Sequence, residues 1–295
     1  MTWAALLDSY LTECWHRSQS EVAAYEKRRI LRHMLAALEP KTATPLELHS
    51  WAYGPGRRGR PSGSSVVMNR ITHASGFFGF LVRLGVLEHN PTAQLKRPIV
   101  RSKREPRGIT TEEIHRLLGV LDLSRPVGLR DLAMIRLQIQ TGLRRKAIVS
   151  LTGASLSRRD GQVWFRAREK GNVTREGELP QDVAQALDRY LATRNRTLAT
   201  LRPHEPLFWG RGGPYRAHSW QVRLKGLAAR AGVRLVGTHC LRHSGAQLLL
   251  DVGASIADVR DFLGHRSIRT TEIYLRRRGQ PNRYAGKVAE LLKRP

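Results

Sequence analysis

The sequence predicts a mainly α protein with a small β-sheet. It is laid out as a helical N-terminal domain (residues 1–98), a basic linker (99–109) and an α+β C-terminal domain (110–295). Three observations predict this layout. Apolar residues recur at helical spacing through most of both halves. One stretch, Gln162–Pro180, has the character of a hairpin. Between the halves, Asn90–Ile109 carries prolines and basic residues but no apolar period, which is the composition of a tether.

The elements follow in order. Ser18 with Glu21 three residues on reads as a capping box. The helix it would open has Ile30, Leu31, Met34, Leu35 and Leu38 on one face, with Val22 and Tyr25 off that stripe and Pro40 marking the end. Tyr53–Ser65 is a basic, Gly/Pro-rich loop. A second strong helix follows over residues 66–87, and its Phe77, Phe78, Phe80 and Leu81 are assigned to the core. Thr110 and Glu113 form another capping box at the start of the second domain. "LRDLAMIRLQIQTGLRRKAIVSLT" predicts a buried helix, a break at Thr141–Gly142 and a short second helix. Trp164 and Phe165 lie in the first hairpin strand, "KGN" makes the turn and "REGEL" returns. Val183, Leu187 and Leu191 define an amphipathic helix, and from His218 onward the chain reads as mostly helical.

Charge separates the function classes. Lys and Arg number 51 against 24 Asp and Glu, a net charge of +27. A compact chain with that surplus repels itself unless it works against a polyanion, and nucleic acid is the leading partner. An anionic membrane is the weaker reading, because no apolar run approaches the roughly 20 residues of a bilayer span. The first residues have no basic start, and Asp8 interrupts their apolar stretch, so no secretory signal is expected. Two distant cysteines, Cys14 and Cys240, form no disulfide framework and suit a reducing cytoplasm. His239, Cys240 and His243 lie close together but lack a second ligand pair, so no metal site is expected.

Breaking a phosphodiester without a metal sets definite requirements. A nucleophile must attack in line, cations must hold the non-bridging oxygens, and the leaving oxygen needs a proton. Arginine suits the phosphate through its planar fork. Lysine or histidine can move protons, and tyrosine can form a covalent intermediate. The chain supplies these groups in sequence: Arg144 in "TGLRRK", Lys170 in "REKGN", His239 and Arg242 in "THCLRHSG", His265 in "FLGHRS" and Tyr274 in "TTEIYLR".

In order and in immediate context, these motifs resemble the tyrosine recombinases, the phage integrase and Xer family. The resemblance covers nearly the whole chain. It implies a helical, SAM-like core-binding domain followed by an α+β catalytic domain. It also implies that Tyr274 attacks the scissile phosphate, giving a 3′-phosphotyrosine and a 5′ hydroxyl. Arg144 and Arg242 would clamp the non-bridging oxygens, Lys170 would protonate the leaving oxygen, His239 would assist proton transfer at the tyrosine, and His265 would hydrogen-bond the phosphate. Neither metal nor ATP would be needed, and no cofactor is expected. The implied partner is double-stranded DNA, bound by a homotetramer or by a heterotetramer with a related recombinase, in the cytoplasm at the bacterial nucleoid. The closing "GKVAELLKRP" would dock on a neighbouring protomer.

Two departures stand out. Three residues after the first arginine the family often has an acid, and this chain has Ala147. The hairpin after "KGN" runs "VTREGELP" where a more basic sequence is usual, with Arg168 and Arg175 close to Lys170. The alternative reading is a catalytically inactive DNA-binding protein of the same fold. Type IB topoisomerases share the tyrosine mechanism and form a neighbouring class.

Overall fold

The computed structural model describes residues 2–18, 21–56, 59–99, 108–169, 173–234, 237–265, 267 and 271. The chain divides into two compact units, Met1–Lys103 and Arg104–Pro295.

The first unit is helical: α1 (Trp3–Ser18), α2 (Glu21–Leu35), α3 (Pro45–Tyr53) and α4 (Ser64–Arg83), followed by a 3-10 turn at Pro91–Gln94. Ser18 ends α1, so it is not the cap of the next helix, which starts at Glu21. Ile30, Leu31 and Met34 are buried as their spacing requires, while Tyr25 is exposed. Phe77, Phe78, Phe80 and Leu81 of α4 enter the same core. The helix α3 has a capping box, Thr44 with Glu47, and Pro45 at its first position. Pro91 and Thr92 are buried and Leu95 packs on the core, so the first part of the tether-like stretch belongs to this unit. Arg70, itself buried, donates to the carbonyls of Trp51, Ala52, Gly54 and Pro55 and so ties down the end of α3 and its loop.

In the second unit Ile109 is buried, its N–H donating to Ser244 Oγ at 2.8 Å. Thr110 and Glu113 form the expected capping box on α5 (Thr111–Gly119). The buried α6 (Pro126–Thr141) breaks at Gly142 and α7 (Arg145–Val149) follows. Strands β1 (Leu156–Arg159), β2 (Gln162–Glu169) and β3 (Val173–Glu178) form an antiparallel sheet in the order β1-β2-β3. The two expected hairpin strands therefore pair, with β1 as an additional edge. Then come α8 (Gln181–Ala192), a two-residue pair β4 (Trp209–Gly210) and β5 (Gly213–Pro214), α9 (Ala217–Arg230), α10 (His239–Asp251) and α11 (Ile256–Leu263). The helix α6 packs against α8 and α10, and α7 packs against β2 and α9. Gly245 permits the α6–α10 crossing, because a Cβ there would lie 2.0 Å from Ile139 O.

Within this core Asp131 is fully buried. Its Oδ1 accepts from Arg130 Nη2 at 2.9 Å and its Oδ2 from Arg223 Nε at 2.6 Å. No helix among the described residues is long and apolar enough to cross a membrane.

Candidate active site

Two helix ends build the scaffold of the site. α6 stops at Gly142, which sits at φ 61° and ψ 15°, and α11 stops at Gly264, at φ 55° and ψ 42°. A helix end leaves its last carbonyls without intrahelical donors, and such a left-handed cap satisfies only some of them. Gly142 is required twice over, because a Cβ there would also lie 2.8 Å from Phe262 O.

Two arginines satisfy these carbonyls. Arg242, at the fourth position of α10 and buried, donates from Nη1 to Gly142 O and from Nη2 to Leu263 O. Arg175, on β3, donates from Nη2 to Thr141 O at 2.9 Å and to Phe262 O at 2.7 Å. Both guanidiniums therefore bridge the same two helix ends, where the helix dipole favours a cation. Arg144 enters from the other side of the break. It is the residue before α7, in extended conformation, and its side chain is 29% exposed.

All three arginines face one carboxylate. The buried positions of β2 alternate through Val163, Phe165, Ala167 and Glu169, so Glu169 continues the inward face of the strand and its side chain is 0% exposed. Its Oε1 accepts from the Arg144 backbone N–H at 2.9 Å, and its Oε2 pairs with the Arg144 guanidinium. Nη1 of Arg242 lies 3.5 Å from Oε1, and Nη1 of Arg175 lies 3.8 Å from it. A buried carboxylate is tolerated only when it is paired and hydrogen-bonded, as here. Three guanidiniums against one carboxylate leave a local surplus of positive charge.

That surplus acts on the two histidines. The His265 imidazole is lowered from 6.5 to about 4, by burial first and then by Arg242 and Arg144. His239, the first residue of α10, is also lowered, by burial and then by Arg242, Arg145 and Arg144. Both rings are neutral near pH 7, so each offers a proton acceptor and a donor. His265 Nδ1 lies 3.0 Å from Thr271 Oγ1, which fixes the ring.

Arg144, His239, Arg242 and His265 are thus brought together around Glu169 and Arg175. Lys170 and Tyr274 lie outside the described residues, as do the expected "KGN" turn, Tyr284 (a second C-terminal tyrosine, in "PNRYAG") and the closing "GKVAELLKRP". Ala147 is 2% exposed. Among the described residues no cluster of His, Cys, Asp and Glu could hold a metal ion. Sequence reasoning missed Glu169 and did not place Arg175 in the site. The signal for Glu169 was present in the two-residue alternation of β2. Arg175 works through carbonyls 34 and 87 residues away, and no local pattern announces that.

Chemically, the cluster can hold a tetrahedral anion against a cation surplus, with neutral imidazoles beside it to move protons. These are capacities that phosphoryl transfer requires. Comparison with known proteins narrows the class. The phage integrase family profile matches residues 107–280. Tyrosine recombinase XerC of Neisseria meningitidis serogroup B is 32% identical over 280 residues, covering 92% of this chain and 90% of that protein. Tyrosine recombinase XerD of Listeria monocytogenes serotype 4b is 30% identical over 270 residues, covering 87% of this chain and 88% of that protein. Among solved structures, a lambda integrase dimer bound to a COC′ core site matches with a TM-score of 0.70 over 92% of this chain and 97% of that one, at 16% identity. XerH recombinase in its post-cleavage complex with difH matches with a TM-score of 0.66 over 84% of this chain and 73% of that one, at 20% identity. These two likenesses concern the fold. The chain belongs to the phage integrase family. It is a tyrosine-type site-specific DNA recombinase.

Proposed function

We propose that Tyr274 is the nucleophile and that the arginine cluster around Glu169 is the phosphate clamp. The Tyr274 oxygen attacks the scissile phosphorus in line. The bond from phosphorus to the 5′ oxygen breaks and a 3′-phosphotyrosine forms. Arg144 and Arg242 hold the non-bridging oxygens and stabilise the charge of the transition state. His239, neutral at its position beside three arginines, accepts the tyrosine proton. Lys170 gives a proton to the leaving 5′ oxygen. His265 donates to the phosphate through Nε2, with Nδ1 engaged by Thr271. A partner strand's 5′ hydroxyl reverses the step and exchanges strands.

The observation that carries this reading is the convergence of Arg144 and Arg242 on one buried carboxylate between two helix ends. The substrate is double-stranded DNA, which fits the net charge of +27. The N-terminal unit serves as the core-binding domain. Its open groove of about 620 Å³ is lined by Arg29, His33, Arg60 and Asn69, between α2, the Gly/Pro loop and α4. The working assembly is a tetramer on synapsed DNA, in the bacterial cytoplasm at the nucleoid. Solved relatives include a lambda integrase tetramer bound to a Holliday junction.

Covalent trapping tests the nucleophile. The purified chain is incubated with DNA from the regions flanking its own gene and with a genomic fragment library, then quenched in SDS. Wild type forms a protein–DNA adduct and Tyr274→Phe does not, while Tyr284→Phe behaves as wild type. An adduct that persists in Tyr274→Phe overturns the assignment.

A further inference from the structure

The family pattern has an acid three residues after the first arginine, and this chain has a buried alanine there. A cluster of three guanidiniums with no carboxylate would be held apart by its own repulsion. The chain is not without a carboxylate, however. Glu169 reaches the cluster from the end of β2, with its side chain wholly buried. It binds Arg144 in two ways, by the backbone N–H at 2.9 Å and by the guanidinium, so it fixes both the base and the tip of that residue. The same Oε1 lies 3.5 Å from Arg242 Nη1 and 3.8 Å from Arg175 Nη1. Position 147 lies on α7, which packs on β2, the strand that carries Glu169.

We infer that Glu169 is the positioning residue of this site, supplying from β2 the carboxylate that the family pattern places at position 147. It touches no reacting atom. It holds Arg144 and Arg242 at the separation a phosphodiester needs before DNA arrives, so the clamp does not have to assemble against its own repulsion at the moment of reaction. The residue is not interchangeable with a neutral isostere. A glutamine can still accept the Arg144 N–H through its oxygen, but its amide nitrogen would then face a guanidinium. The inference rests on the reading of Arg144 and Arg242 as phosphate clamps.

The test uses the full chain and a duplex from the fragment library on which wild type forms the Tyr274-dependent adduct. Single-turnover adduct formation, DNA affinity by filter binding, and thermal melting are measured for Glu169→Gln, Glu169→Asp and the double variant Ala147→Glu/Glu169→Gln. Glu169→Gln is expected to slow adduct formation about a hundredfold while DNA affinity stays within about threefold. Glu169→Asp keeps the charge on a shorter arm, folds, and slows the step about tenfold at unchanged affinity. The double variant regains about tenfold or more over Glu169→Gln, because the acid returns on the neighbouring helix. Wild-type rates in both single variants overturn the inference. So does a rate loss that tracks melting and DNA affinity in equal measure, which would make Glu169 merely structural, and so does a double variant no faster than Glu169→Gln. An adduct formed independently of Tyr274 would instead overturn the proposed nucleophile, and the two failures are thereby told apart.

Discussion

Among the described residues, the second unit holds two buried carboxylates wrapped in arginine, and they differ in a telling way. Asp131 has one arginine on each oxygen, Arg130 on Oδ1 and Arg223 on Oδ2. Arg130 spends a further donor on Trp209 O, and its plane lies 4.0 Å from the centroid of the Tyr215 ring. Two cations meet one anion under an aromatic cover, and the cluster ties α6 to α9 and β4. Glu169 meets three cations, and beside it burial first, then the arginines, lower the pKa of two neighbouring imidazoles. Charge pairing alone therefore does not mark a site. What sets the Glu169 cluster apart is its larger cation surplus with imidazoles of lowered pKa beside it, which is the arrangement the proposed phosphate clamp needs.

The comparison can be broken from the scaffold side. Asp131→Asn leaves two guanidiniums without their buried counter-charge and should cost about 3–5 kcal/mol in urea denaturation. The molecules that remain folded should cleave at the wild-type rate. A specific loss of cleavage at full stability would move Asp131 into the site. Gly142→Ala should have a smaller effect on stability, about 1–3 kcal/mol, from the positive φ and the Phe262 carbonyl. It should nonetheless reduce cleavage by more than the lost folded fraction, because Gly142 O receives Arg242 and Arg144 follows two residues on.

The smallest effect concerns pH. In the DNA-free fold the His265 imidazole titrates at about 4, against its ordinary 6.5. Between those values the unfolded chain binds more protons, so stability falls as pH is lowered through that window and is fully present above it. Burial of the ring is the main cause, followed by Arg242 and Arg144, with Glu169 opposing them and Arg175 adding a little. His265→Gln lacks this dependence. Its melting temperature relative to wild type should therefore rise as pH drops from 6.5 towards 4, and a constant difference would show that the ring is not held neutral by the cluster.

Much of this was legible in the sequence, for reasons the residues make plain. Phe77, Phe78 and Leu81 could be assigned to a core because a helix has one buried face, and all are fully buried. The break at Gly142 was legible because no other residue takes that backbone conformation so cheaply. The edge strand β1 escaped because it has no alternation to read: after Leu156 its residues are all exposed. Ser18 misled because its spacing to Glu21 matches a capping box, although the residue closes α1. In the site, Arg144, Arg242 and the histidines carry local motifs, whereas Glu169 and Arg175 earn their place by contacts across elements. Glu169 could still have been found. An acid on the inward face of a strand, after Val163, Phe165 and Ala167, must have a cation waiting for it.

The most direct test sets one arginine from each cluster against the other. Arg144→Ala and Arg223→Ala are compared in single-turnover adduct formation at equal DNA occupancy, with thermal melting alongside. Arg144→Ala should slow the step by about a hundredfold to a thousandfold, well beyond any loss of folded protein. Arg223→Ala should lower melting and leave the rate of the folded protein within about threefold of wild type. Equal losses of rate in the two variants, or a wild-type rate in Arg144→Ala, would contradict the assignment of the Glu169 cluster as the phosphate clamp.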